Sequence, residues 1–318
     1  MVTFSFLRKV IRRPSSYRLK VQSILPLNME CTFVSSRGLL KVCNSYQRDI
    51  ASSRSWITED ILKDISNNDT IYVCTSALSA FVKHFLPRLT HSITLVSGDA
   101  DEAVYTGNMT CATLLASPFI TRWFAQNCLS THPKLIHMPI GLDYHTMASR
   151  SSRWGPKQTE TEQESELMTL RHVAVPFHER LPLCYSNFHL NLNSRDRYEA
   201  RDTVLKELVF YAPVHVQRHE SHTNQMKYAF VLSPAGIGRD CHRTWEALVL
   251  GCIPVVKSSG LDPLFEGLPV LIVKSWSDVS RELLDTTILS FKERAFSYEK
   301  LTMKYWQERL SAPLKSAL

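Results

Sequence analysis

The chain has 318 residues, enough for one large or two medium domains at roughly 100–200 residues each. Apolar residues make up 44% and charged residues 21%, with 10 Gly and 15 Pro, which excludes a mainly disordered, collagen-like or low-complexity chain. The net charge of +7 is compatible with nucleic acid, membrane surfaces or nucleotides as partners, and no run of about 18 apolar residues exists to cross a membrane as a helix.

Residues 1–20 carry Arg8, Lys9, Arg12, Arg13, Arg18 and Lys20 and no acid, which reads as a solvated basic arm and resembles a weak transit peptide. The apolar run at 2–7 is too short for a secretory signal. A cytoplasmic or otherwise soluble protein is expected, with neither signal peptide nor membrane anchor. The eight cysteines form no CxxC pair, so free thiols in a reducing compartment are expected.

In chain order, β-rich runs at 31–35, 70–74, 92–96 and 135–140 alternate with helical patterns at 77–89 and 119–128. Residues 148–166 are rich in Ser, Arg, Gln, Thr and Glu and read as an exposed linker or loop. A second alternating set follows, with strands at 183–189, 228–232, 253–257 and 270–273 and helices at 197–208 and 241–250. Residues 291–310 read as one long amphipathic helix. Strands alternating with helices predict βαβ units and parallel sheets, hence an α/β fold of two modules with a ligand cleft between them. The expected division is 1–147, a linker at 148–180, 181–285, and a C-terminal helix at 286–318 that packs back on the first module.

The segment 230–273 is the most informative. A strand runs into Ser233-Pro234-Ala235-Gly236-Ile237-Gly238, and a helix begins near Asp240. Gly236 and Gly238 let the backbone approach a ligand, and the following helix N-terminus favours phosphate. Asp240 suits an N-cap. Cys241, Trp245 and Leu248 share one helix face; Arg239, His242 or Arg243, and Glu246 share another. A carboxylate placed there accepts hydrogen bonds from two ribose hydroxyls, and Arg239 or Arg243 pairs with a diphosphate. Lys257 ends the next strand at the same carboxyl edge.

Glu246-Ala247-Leu248 followed by Gly251-Cys252-Ile253-Pro254-Val255 resembles the exostosin-like glycosyltransferases (family 47). Residues 139–144, 185–193 and 261–267 look like a branch of that family found in protists and large viruses. The resemblance covers about residues 70–276. It implies a GT-B fold, two Rossmann-like domains facing across a cleft, and inverting transfer of a sugar from a nucleotide sugar, usually UDP-linked, to a glycan hydroxyl. It further implies that Glu246 holds the donor ribose, and that Arg243 with the turn 233–238 holds the diphosphate. His242 is grouped with these donor-binding residues. No cofactor or divalent metal is expected beyond the nucleotide sugar itself.

Inverting transfer also needs a base on the first module. Asp99 and Asp101 follow a strand there and are candidates, with Asp143 as a further choice beside His145. Asp99-x-Asp101 also spells a metal-binding pattern of other glycosyltransferases, a reading set aside because that pattern belongs to another fold class. Arg37, Asn187, His189 and Arg195 end or follow strands at the expected cleft and are candidate phosphate or acceptor contacts. The rival readings are a non-catalytic nucleotide- or sugar-binding module and a nucleic-acid binder. The second lacks any RNP, KH or zinc-finger pattern.

Overall fold

Parallel strands covered on both faces need near-continuous apolar runs, and Ile93–Gly98 and Tyr228–Leu232 are buried at every position. In the computed structural model, which describes residues 31–46, 57–190, 194–213 and 216–312, such runs form two all-parallel sheets. The first has the order β1 (Thr70–Cys74), β2 (Ile93–Gly98), β3 (Ile120–Ala125), β4 (Leu135–His137). The second contains β5 (Leu181–Ser186), β6 (Val209–Tyr211), β7 (Tyr228–Leu232), β8 (Ile253–Lys257) and β9 (Leu271–Val273), in the order β6-β5-β7-β8-β9. Two Rossmann-like α/β halves facing one another make this a GT-B architecture. The basic segment 1–20 and Asn191-Leu192-Asn193 lie outside the described residues.

The helices of the first half are α1 (Ser36–Lys41), α2 (Leu78–His84), α3 (Met109–Ala116) and α4 (His145–Ser149). Then come α5 (Glu160–Val173), α6 (Arg195–Thr203), α7 (Arg218–Gln225), α8 (His242–Val249), α9 (Asp262–Phe265), α10 (Arg281–Lys292) and α11 (Met303–Ser311).

Four readings of the sequence change. Residues 119–128 hold a strand, not a helix: β3 pairs with β2 through Leu95 and Trp123, and the Trp123 indole donates to Ser97 Oγ at 2.9 Å. Residues 31–35 are an extended tie rather than a strand. Val34 N–H donates to the Leu301 carbonyl, and the Val34 carbonyl accepts from Leu142, both at 2.8 Å. The long C-terminal helix is two helices, because Ser297 donates its backbone N–H to Gly267 at 2.7 Å and Thr302 caps a new start. The second of these, α11, lies on the first half. Met303 donates to the Thr32 carbonyl at 2.8 Å, and Arg122 donates to the Leu310 carbonyl at 3.1 Å.

The fourth change matters most for the site. The polar stretch at 148–166 is a loop only in part: 150–159 is non-helical and, apart from Gly155, exposed or half-buried, but from Glu160 on it is helix. Thr159 and Glu162 form a reciprocal capping box, and α5 follows directly. Glu164 on that helix is buried and accepts the backbone N–H groups of Thr32 and Phe33 at 2.7–2.8 Å. Glu164→Ala leaves two N–H donors without their acceptor, at roughly 1–3 kcal/mol each. Urea denaturation should therefore show a lower midpoint. An unchanged midpoint would place residues 31–35 outside the cooperative unit.

Candidate functional site

In an open parallel sheet a ligand crevice forms where the strand order reverses, beyond the strand carboxyl ends. Here β5 lies between β6 and β7, so the reversal falls between the loops after β5 and β7. Those loops carry Asn187, Phe188 and His189, and the turn 233–241. They border a cleft of about 350 Å³, closed from the first half by Asp101, Ile140 and Asp143 and floored by Arg197, His242, Arg243 and Glu246. A second chamber of about 270 Å³ adjoins it. Asp143, Trp154, Arg218, His222 and Glu246 border both.

Several contacts hold the halves together at the cleft. The Asp240 carboxylate is buried; it accepts from Ile140 N–H at 2.7 Å and from the Trp245 indole at 2.9 Å. Burial pushes its pKa up to about 6. It therefore does not cap α8, whose N-cap is Cys241, with no side chain bonded to the helix end. Asn127 accepts the Asp240 N–H at 2.8 Å, and Asp101 accepts the Gly238 N–H at 3.2 Å. A Cβ at Gly238 would stand 2.9 Å from that Asp101 oxygen and 3.1 Å from the Asn127 amide nitrogen, so a larger residue would push both side chains aside.

Glu246 sits at the junction of the two chambers, 3.7 Å from His222 Nε2. Burial opposes its charge, but His222, Arg218 and His242 outweigh that and hold its pKa down to about 2. Arg243 points into the cleft next to it. Its Nε donates to Asn187 at 3.0 Å, its Nη1 to the Pro234 carbonyl at 3.2 Å, and the Phe188 ring lies 5.5 Å from its guanidinium. Burial lowers its pKa to about 10, which leaves it cationic at neutral pH. Arg197 reaches in from α6 beside Gly236; it donates to the His189 carbonyl at 2.8 Å, and its buried Nε has no partner. His189 has a buried Nδ1 without a partner as well.

The first half contributes a cluster of charge. Asp143 accepts from Arg218 at 3.0 Å, from Thr146 N–H at 3.0 Å, and pairs with His145 Nδ1 at 3.2 Å. Burial opposes ionisation, but His242, His145 and Arg218 keep the carboxyl far below the usual range. Burial lowers the His145 pKa to about 4, against the pull of Asp143, so this histidine is neutral at neutral pH. His242 Nδ1 lies 2.7 Å from the Gly141 carbonyl, and its ring is 5.9 Å from that of His145. Gly141 has φ +65, and a Cβ there would meet the Val34 carbonyl oxygen, so glycine alone presents this carbonyl to His242.

The sequence-predicted residues divide. Asp101, Asp143, Asn187, His189, Gly236, Gly238, His242, Arg243 and Glu246 border the cleft. Ser233, Arg239 and Lys257 instead border a small cavity of about 40 Å³ beside α8. Ser233 bonds Thr244 at 2.9 Å, and Lys257 is paired with Glu199 at 2.9 Å. Arg195 is exposed on α6, while Arg197, one half-turn on, carries the cleft guanidinium. Asp99 is buried, with φ +56, and lies 3.8 Å from Arg37, which is helical in α1 rather than in a turn. Asp99 and Asp101 therefore part: one is buried on Arg37, the other faces Gly238.

Sequence reasoning passed over Trp154, Arg218, Ser221 and His222. The last three fall at i, i+3 and i+4 on α7, a polar helix whose only signal was that spacing. Ser221 accepts from Asn187 at 3.1 Å, and Arg218 reaches Asp143 in the other half.

No protein-family model and no curated protein matches the chain. Among solved structures it is similar to one described as trehalose-6-phosphate from E. coli bound with UDP-2-fluoro glucose, at a TM-score of 0.40 and 12% identity, covering 77% of this chain and 72% of that chain. Among the described residues no helix is long and apolar enough to cross a membrane.

Proposed function

We propose that the chain is a glycosyltransferase of the exostosin-like type, moving a sugar from a nucleotide sugar, UDP-linked by preference, to a glycan hydroxyl with inversion. The observation that carries this reading is the line of groups along the cleft. A glycine turn and two guanidiniums, Arg197 and Arg243, are followed by an ionised carboxylate, Glu246. That order matches a diphosphate joined to a ribose. Arg243 is pre-positioned by Asn187 and Pro234, so it binds charge at little cost in side-chain ordering. Glu246 accepts the two ribose hydroxyls.

The direction of the donor follows. The turn at Gly236 and Gly238 borders only the larger cleft, whereas Glu246 borders both chambers. With the diphosphate at the turn and the ribose at Glu246, the base enters the adjoining chamber beside Trp154. The sugar and acceptor then meet at the first-half wall formed by Asp101, Ile140 and Asp143. The donor is the only co-substrate in this reading, with no metal in the step.

The test is thermal unfolding with UDP, GDP, ADP and CMP. At 100 times Kd a ligand adds about 2.7 kcal/mol, which moves the midpoint of a chain this size by several degrees at about 2–4 °C per kcal/mol. A UDP-selective shift supports the donor site. A shift with none of the four would remove the nucleotide-sugar reading and leave a fold without its donor.

A further inference from the structure

One cleft imidazole is fixed in a single tautomer by the fold and has no task in the donor reading. His242 begins α8 and borders the cleft between the first-half wall and the donor side. Its Nδ1 lies 2.7 Å from the Gly141 carbonyl, which can only accept, so Nδ1 carries the hydrogen. In the neutral ring, the Nε2 lone pair is therefore the atom left for a ligand. Gly141 is locked against Val34, so the carbonyl that sets this tautomer is part of the fold rather than of a loop free to turn.

Titratable groups surround the ring on both sides, with Arg218 and Arg243 in the same cleft. On the first half it faces Asp99, Asp143 and His145; from its own segment it faces Asp240 and Glu246. Four of those five groups are carboxyls and the fifth, His145, is neutral. Two of the three first-half carboxylates are otherwise placed: Asp143 is held by Arg218, Thr146 and His145, and Asp99 lies away from the cleft against Arg37, while Asp101 gives one oxygen to the Gly238 N–H.

We propose that His242 Nε2 is the base that takes the acceptor proton, with the Gly141 carbonyl as its positioning group; this rests on the glycosyltransferase reading. The acceptor O–H bond breaks and its proton moves to Nε2. The acceptor oxygen forms a bond to the anomeric carbon, and the bond from that carbon to the diphosphate oxygen breaks, its electron pair leaving with the diphosphate. The proton is later lost to water.

The experiment uses the full chain and two readouts, UDP binding by calorimetry and UDP release from UDP-glucose, UDP-galactose and UDP-N-acetylglucosamine with water as acceptor. His242→Gln is expected to bind UDP within about 2-fold of wild type and to release it at least 100-fold more slowly, without the acidic limb of the wild-type rate profile. His242→Ala should recover part of its rate when imidazole is added. His242→Phe, which keeps ring volume, replaces the Gln variant should that not fold. Release within 5-fold of wild type, or an unaltered acidic limb, overturns the proposal. Loss of UDP binding in His242→Gln also overturns it, because the histidine would then be a diphosphate ligand. A wild type that neither binds UDP nor releases it would refute the donor reading itself, a result separate from these.

Discussion

Glu246→Ala should abolish the UDP-dependent rise in unfolding temperature, measured against the variant's own ligand-free midpoint, which should itself fall because His222 loses its buried partner. Two hydrogen bonds to a carboxylate are each worth about 1.5–3 kcal/mol, so UDP affinity should fall by about 100-fold or more. The carboxylate is already ionised and held among His222, Arg218 and His242, so the fold has met the cost of placing a charge there before ligand arrives. Calorimetric titration of UDP into the two proteins measures the difference directly. Uridine separates the causes: it carries the ribose and base without the phosphates, and its binding should suffer in the same proportion. If the variant binds UDP as wild type does, the ribose is held elsewhere and the donor orientation is wrong.

Arg218→Met should cost stability and change its response to acid. The Arg218–Asp143 pair is largely buried, bridges α7 and the first half, and is joined by Gln163 at 3.1 Å. Removing one member of a buried pair typically costs about 3–5 kcal/mol, because the other charge is left without its partner. The acid response has a definite sign. The folded Asp143 pKa lies below the unfolded value, so its contribution is present above about pH 4 and is lost as pH falls below that. Glu246 is also depressed and adds to the same acid-side loss. In Arg218→Met the Asp143 pKa moves back toward its ordinary value, so the variant should be weaker at neutral pH yet lose less on acidification. Urea unfolding at several pH values between neutral and acid checks both parts. Parallel stability curves for the two proteins would show that Arg218 does not hold Asp143 in its ionised form.

Local sequence alone determined four strands of the second sheet, all but the edge strand β6, and the turn that serves it. Residues 228–232 are a short, wholly apolar run and 253–256 an apolar run ending in Lys257, both between breakers, and a run of that kind has little choice but a buried parallel strand. The spacing of Arg243 and Glu246 after a glycine turn was legible for the same reason: helix period and backbone freedom are local properties. What lay beyond the sequence was set by partners distant in the chain. Residues 119–128 carry bulk that suits a helix or a strand, and the edge offered by β2 decided for the strand. The polar stretch ending in α5 is poor in apolar residues, yet Glu164 anchors it to backbone donors 131 residues away. Arg195 and Arg197 are equivalent in composition, but only the packing of α6 turns the second into the cleft. Lys257 stands at the expected strand end and is neutralised there by Glu199, a residue on a helix that follows another strand. The His242–Gly141 contact joins two residues 101 positions apart and exists only because the two halves close on each other. Periodicity and turn chemistry act over a few residues and so can be read from the chain; which charge meets which across the cleft depends on the docking of two sheets, and that is a property of the tertiary structure.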